Sequence, residues 1–134
     1  MSEQENVKLV QDLYAAFGRG DIPTILKALS SDVQWFNSGS SGIPYAGKRQ
    51  GVDQVAQFFQ ALSDNVMVKQ FEPTEYVAQK DRVIALGNWR GQSKATGRAF
   101  DSDWAIVWTV KNGKVTSFRG YEDTAAMVDA FRKK

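Results

Sequence analysis

The chain has 134 residues, 43% of them hydrophobic and 24% charged, with a net charge of +2, which are ordinary values for one globular domain spanning residues 1–134. It contains neither Cys nor His. That excludes disulfides, thiolate nucleophiles, His-based triads and the usual zinc, haem or iron–sulfur sites, and any acid or base is a carboxyl, Tyr or Lys. An all-oxygen metal site stays open, but no carboxylate spacing resembles a calcium loop, and neither metal nor cofactor is expected.

Lys and Arg are dispersed along the sequence rather than gathered on one face, which argues against a nucleic-acid surface. No apolar run approaches the ~20 residues that span a bilayer. The expectation is a cytoplasmic protein with neither nucleic acid nor membrane as partner.

In chain order, Ser2-Glu3-Gln4-Glu5 forms a capping box ahead of Val7, Val10, Leu13, Tyr14 and Phe17 at helical spacing, which predicts a first helix closed by Gly18 and Gly20. Asp21 caps a second, short helix with Pro23 in its first turn and Ile25, Leu26 and Leu29 on its apolar face. Asp32 to Asn37 alternates and reads as a strand. Ser38 to Gly51 is rich in Ser and Gly and reads as a long loop; its Gly42–Lys48 stretch resembles a phosphate loop, but Arg49 stands where the magnesium-binding hydroxyl belongs and no parallel-sheet pattern surrounds it. Val52, Val55, Phe59 and Leu62 share one face of a third helix.

From Val66 onward the period becomes strand-like over about 66–79, 82–97, 99–111 and 114–122, with turns at 79–82, 95–98 and Asn112-Gly113. Asp123 caps a last helix, Thr124 to Arg132, whose Arg132, Lys133 and Lys134 suit the negative end of its dipole. The order ααβαββββα predicts an α+β fold: a strongly curved, cone-shaped antiparallel sheet wrapped on helices, with a pocket at its open end.

This order resembles the nuclear-transport-factor-like superfamily, particularly its SnoaL-like and ketosteroid-isomerase-like members. The resemblance rests on Tyr14-Ala-Ala-Phe17 with Gly20-Asp21, Tyr45-Ala-Gly47, Gly51 with Phe58-Phe59, Trp104-Ala-Ile-Val-Trp108, Asn112-Gly-Lys114-Val115 and Tyr121-Glu-Asp123-Thr124. It implies a cofactor-independent isomerase, cyclase or hydrolase relative and a homodimer, but the superfamily also holds non-catalytic modules.

The resemblance carries over unevenly. The isomerase oxyanion tyrosine falls on Leu13, one position and about 100° round the helix from Tyr14, so Tyr14 reads first as a core tyrosine and second as a donor. The isomerase base matches Asn37, which cannot abstract a proton; limonene epoxide hydrolases resemble Trp35-Phe36-Asn37, and there the Asn holds the nucleophilic water. The second isomerase donor, a His in the cyclases, falls on Ile106. The cyclases' aspartate and second His fall on Gly120 and Phe118. A one-residue bulge would bring Glu122 or Asp123 to the pocket, although Asp123 reads more simply as a helix cap.

The candidate catalytic residues are therefore Asn37, Tyr14, Glu122 and Asp123. The candidate ligand-binding residues are Trp35, Asn37, Phe58, Trp104, Ile106, Trp108 and Phe118, set against their plainer reading as core. Trp89 and Arg90 take opposite faces, and an inward Arg90 would favour an anionic ligand. Asp101 and Asp103 alternate away from Trp104 and belong on the outer face. The expected function is a SnoaL-like small-molecule protein acting on a small apolar carbonyl or aromatic compound. The rivals are a non-catalytic binding or dimeric module and an interaction module built on the sheet's outer face.

Overall fold

The computed structural model describes residues 2–132. Helix α1 (Glu3–Gly18) begins with the capping box complete, Ser2 Oγ accepting from the Glu5 amide at 3.1 Å and Glu5 Oε1 accepting from the Ser2 amide at 3.0 Å. It buries Val10, Leu13 and Ala16. Asp21 caps α2 (Ile22–Lys27) by accepting from the Thr24 amide at 3.2 Å. This helix is shorter than its apolar periodicity predicts. Leu29 pairs with Val115 in the sheet, and Ala28 O accepts from the Val115 amide at 2.8 Å, so sheet pairing captures a residue that suits the helix equally well.

Strand β1 (Leu29–Asn37) is followed by β2 (Gly47–Gln50), a strand inside the stretch expected to be loop. Its Lys-Arg-Gln sequence carries no apolar alternation, because it lies at a sheet edge and pairs only with β1. Helix α3 (Val52–Asn65) buries Val55, Phe58, Phe59 and Leu62. Strands β3 (Val66–Gln79), β4 (Arg82–Ser93), β5 (Ala99–Lys111) and β6 (Lys114–Glu122) form the meander, and α4 (Thr124–Phe131) closes the chain. The β5–β6 turn has both central residues in the left-handed region, Asn112 at φ 52° and Gly113 at φ 77°, as an Asn-Gly hairpin requires. Of the three cations expected at the last helix terminus, Arg132 is its C-cap; Lys133 and Lys134 lie outside the described residues.

The fold is the expected α+β cone, with one refinement of topology. The six strands run in the order β2-β1-β6-β5-β4-β3, and β1 lies parallel to β6 while every other pair is antiparallel. The sheet is mixed because the chain crosses between β1 and β6 through a helix and the whole meander. Bulges within the β1–β6, β3–β4 and β5–β6 pairings bend it. Gly87 permits a close crossing at the bend, since a Cβ there would stand 2.4 Å from both Glu72 O and Trp104 Cζ2. The helices fill the concave face. Among the described residues no helix is long and apolar enough to cross a membrane.

Candidate functional site

Alternation on the concave face sets three cross-strand rows. Trp35, Phe118 and Trp108 occupy the first, Asn37, Gly120 and Ile106 the second, and Glu122 and Trp104 the third. Together with Tyr14 and Phe17 of α1, Phe58, Phe59 and Leu62 of α3, and Tyr45 from the β1–β2 loop, these line one cavity. Its free volume is about 90 Å³, below the ~150 Å³ in which an engineered apolar cavity holds benzene. A ring-sized ligand therefore needs some side chains to yield.

The floor is aromatic and tightly set. Trp35 stacks on Phe118 with centroids 3.8 Å apart and planes within 2°, and Trp108 stands edge-on to both. Trp108 Nε1 donates to the Tyr14 hydroxyl oxygen at 2.9 Å. Burial pushes the Tyr14 pKa up, so its proton stays in place. The middle row is a notch. With no side chain at Gly120, Asn37 has room beside it, and a Cβ there would come within 3.1 Å of Asn37 Nδ2.

The third row carries the cavity's carboxyl, Glu122. Glu122 Oε2 accepts from the Tyr45 hydroxyl at 2.7 Å, and Oε1 accepts from Trp89 Nε1 at 3.0 Å. Burial raises the Glu122 pKa, against the lowering effect of its two donors, and the neighbouring Asp123 charge adds to the rise. Burial, then the Glu122 charge, pushes the Tyr45 hydroxyl up as well. A carboxyl raised by burial, in a cleft and held by specific donors, has the character of an acid/base group. Three further buried polar atoms at the cavity have no partner within the protein: Trp35 Nε1, Trp104 Nε1 and Asn37 Oδ1. No three acidic side chains converge as metal ligands among the described residues.

Of the candidates read from sequence, Asn37, Tyr14, Glu122, Trp35, Phe58, Trp104, Ile106, Trp108 and Phe118 lie together on this cavity. Asp123 does not. Its side chain accepts from the Ala126 amide at 3.1 Å and caps α4, and the residue is exposed.

Glu122 reaches the cavity past a one-residue bulge in the β5–β6 hairpin, the shift invoked for it from the sequence. The irregularity falls between Thr109 and Val110, opposite Ser117 and Val115, and Phe118, Gly120 and Glu122 then alternate regularly onto one face. Simple alternation from Phe118 was the signal in the sequence. Tyr45 and Trp89 went unassigned. Trp89 faces inward, and Arg90 faces out, with its Nε 3.6 Å from Asp101 Oδ2, which removes the anionic-ligand argument built on an inward Arg90. Asn88 donates to Asp101 at 2.7 Å and to Asp103 at 3.0 Å, and both carboxylates are exposed.

Residues 10–118 match the family model of the SnoaL-like domain. The chain is similar to the crystal structure of an NTF2-like protein from Burkholderia xenovorans LB400, at 41% identity and a TM-score of 0.89, covering 98% of this chain and 99% of that one. It is similar to the crystal structure of TerC co-crystallized with polyporic acid, at 25% identity and a TM-score of 0.82, covering 96% and 98%. Among curated proteins it is 28% identical over 135 residues to the uncharacterized protein Rv0034 of Mycobacterium tuberculosis strain H37Rv, covering 98% of each.

Proposed function

The chain belongs to the SnoaL-like domain family, and within it we propose that the cavity binds a small apolar carbonyl or aromatic compound on which Glu122 moves a proton without a cofactor. The observation that carries this reading is the Glu122 carboxyl, half-buried at an aromatic cavity and held by Tyr45 and Trp89. In its ionised form Glu122 takes the proton from a carbon beside a carbonyl; the electron pair of that C–H bond becomes the C=C bond of an enolate and the carbonyl π pair moves onto the oxygen. The protonated form returns the proton to another carbon of the enolate system, which gives isomerisation. Where the enolate carbon first bonds to a second carbonyl carbon of the same ligand and closes a ring, the proton goes to the alkoxide oxygen that this carbonyl becomes.

Tyr14 serves the developing negative charge. Its oxygen already accepts from Trp108 Nε1, so its own proton is free for a ligand oxygen. The unpartnered indole N–H groups of Trp35 and Trp104 offer two more donors, and Asn37 Oδ1 offers an acceptor. The co-crystallization of TerC with polyporic acid is in keeping with an organic ligand in this fold.

A second reading, binding without turnover, is favoured by Ile106, Phe118 and Gly120, which stand where the resembling enzymes carry acids or histidines. One experiment separates the two. Cyclohexanone, acetophenone and α-tetralone are incubated with the protein in D₂O and exchange at the carbon beside the carbonyl is followed by proton NMR, alongside quenching of tryptophan fluorescence. Proton transfer predicts exchange above buffer for at least one probe, reduced roughly 10²–10⁴-fold in Glu122→Gln. Quenching with no exchange by any probe supports binding alone.

A further inference from the structure

We propose that Arg49 is a positioning residue for the Glu122 site, acting through Tyr45. The assignment rests on the reading of Glu122 as the proton-transfer group, but its test needs no turnover.

Tyr45 reaches Glu122 from the loop of residues 38–46, which has little regular structure to hold it. Its own backbone bonds are two tight turns, Ile43 N donating to Ser40 O at 3.0 Å and Ala46 N donating to Ile43 O at 3.1 Å, with Ser38 N tied to Gly120 O at 2.9 Å. The Tyr45 residue is nonetheless only 2% exposed, so its backbone carbonyl needs a partner. Arg49 supplies it, Nη1 donating to Tyr45 O at 2.8 Å.

The guanidinium is itself fixed. Arg49 lies opposite Trp35 in the β1–β2 register, on the side of the sheet that faces the cavity, and its Cζ sits 5.5 Å from the centre of the Phe58 ring. A planar cation stacked on an aromatic face is oriented as well as attracted. No carboxylate pairs with Arg49 among the described residues, so its polar contact is with the backbone that carries Tyr45. One chain of contacts therefore runs from Phe58 through Arg49 to the Tyr45 carbonyl, and from the Tyr45 hydroxyl to Glu122. The other groups facing Glu122 are Trp89 from β4 and the adjoining Asp123, and neither is touched by Arg49.

The test is a double-mutant cycle read on the Glu122 carboxyl itself, by carbon NMR of glutamate-labelled protein titrated with acid and base. Tyr45→Phe removes a donor to the carboxylate and raises the titration midpoint by roughly one pH unit, a tenfold change in proton affinity. Arg49→Met keeps an apolar stem over Phe58 and removes the donors. It raises the midpoint in the same direction, and the double variant titrates with Tyr45→Phe alone, because Arg49 has no route to Glu122 once the Tyr45 hydroxyl is gone.

Two results overturn the proposal. Either Arg49→Met leaves the midpoint where it was, or its shift persists in full in the Tyr45→Phe background, which is the mark of a charge acting directly. If Arg49→Met does not fold, Arg49→Gln is read in the same cycle with the same criteria. Exchange activity surviving in Glu122→Gln overturns the proposed function and leaves this result intact.

Discussion

The Tyr45 hydroxyl donates to Glu122 Oε2 at 2.7 Å across 77 positions of sequence. Among the described residues, this bond joins the one loop that lines the aromatic cavity to the carboxyl at its third row. Replacing Tyr45 with Phe removes the donor and keeps the ring among Phe58, Trp89 and Phe131, which surround it edge-on. A hydrogen bond to a charged group contributes about 1.5–3 kcal/mol and one to a neutral group about 1 kcal/mol. Tyr45→Phe is therefore expected to cost more stability at a pH where Glu122 is ionised than where it is protonated. Urea unfolding at the two pH values measures the difference, and an equal cost at both would remove the carboxylate from the interaction.

The pH dependence of stability has a definite sign at Glu122. Its pKa in the fold lies above the ordinary 4.5, so over the interval between the two the folded chain holds a proton that the unfolded chain has released. The stability contributed by this group is fully present below pH 4.5 and is lost as pH rises through the folded value. Glu122→Gln carries no such proton. The wild-type stability minus that of Glu122→Gln is expected to fall with rising pH above 4.5 and then level off. A difference that is flat, or that rises, contradicts the burial of this carboxyl.

Gly120 is a test of the notch beside Asn37. Its backbone is not in the left-handed region, so an added methyl meets only its neighbours, Asn37 Nδ2 at 3.1 Å and Phe118 Cε1 at 3.2 Å. Both are side-chain atoms that can shift by a few tenths of an ångström. Gly120→Ala is expected to cost about 1 kcal/mol of stability or slightly more, the low end of overpacking, while weakening acetophenone binding several-fold in tryptophan quenching. Asn37→Ala, which enlarges the same notch, is expected to weaken binding by losing a polar partner. Unchanged affinity in both variants would take this row out of the site.

Asp123 separates a helix cap from an acid. Asp123→Ala removes the bond to the Ala126 amide and is expected to cost about 1 kcal/mol, as N-cap losses do. Because the Asp123 charge raises the neighbouring Glu122 pKa, the same variant should lower the Glu122 titration midpoint. Carbon-beside-carbonyl exchange is expected to persist in Asp123→Ala. Its loss, with the fold intact, would assign Asp123 a direct part in the chemistry.

Much of this protein was legible in the sequence because its signals are local. The capping box at Ser2 and Glu5, the Asp21 and Asp123 caps and the Asn112-Gly113 turn each depend on residues three or four apart, and all stand in the structure. Strand alternation likewise placed Trp104 and Trp108 inward and Asp101 and Asp103 outward. The same rule, carried from Phe118 through Gly120, would have brought Glu122 onto the cavity face. The absence of Cys and His confined acid/base chemistry to carboxyl, Tyr and Lys.

What only the tertiary structure decided is who meets Glu122. The Trp89 indole comes from a strand 33 positions away and the Tyr45 hydroxyl from 77. Tyr45 comes from a loop with no periodicity, and the face of Trp89 was not settled by alternation. The edge strand β2 has no apolar pattern because one neighbour and solvent are enough for it, yet it sets Arg49 opposite Trp35 and under the Tyr45 carbonyl. The parallel β1–β6 pairing brings Asn37 beside Gly120 and has no local signature either. Local periodicity assigns each residue a face; only closure of the chain through long-range pairing determines which faces share a cavity.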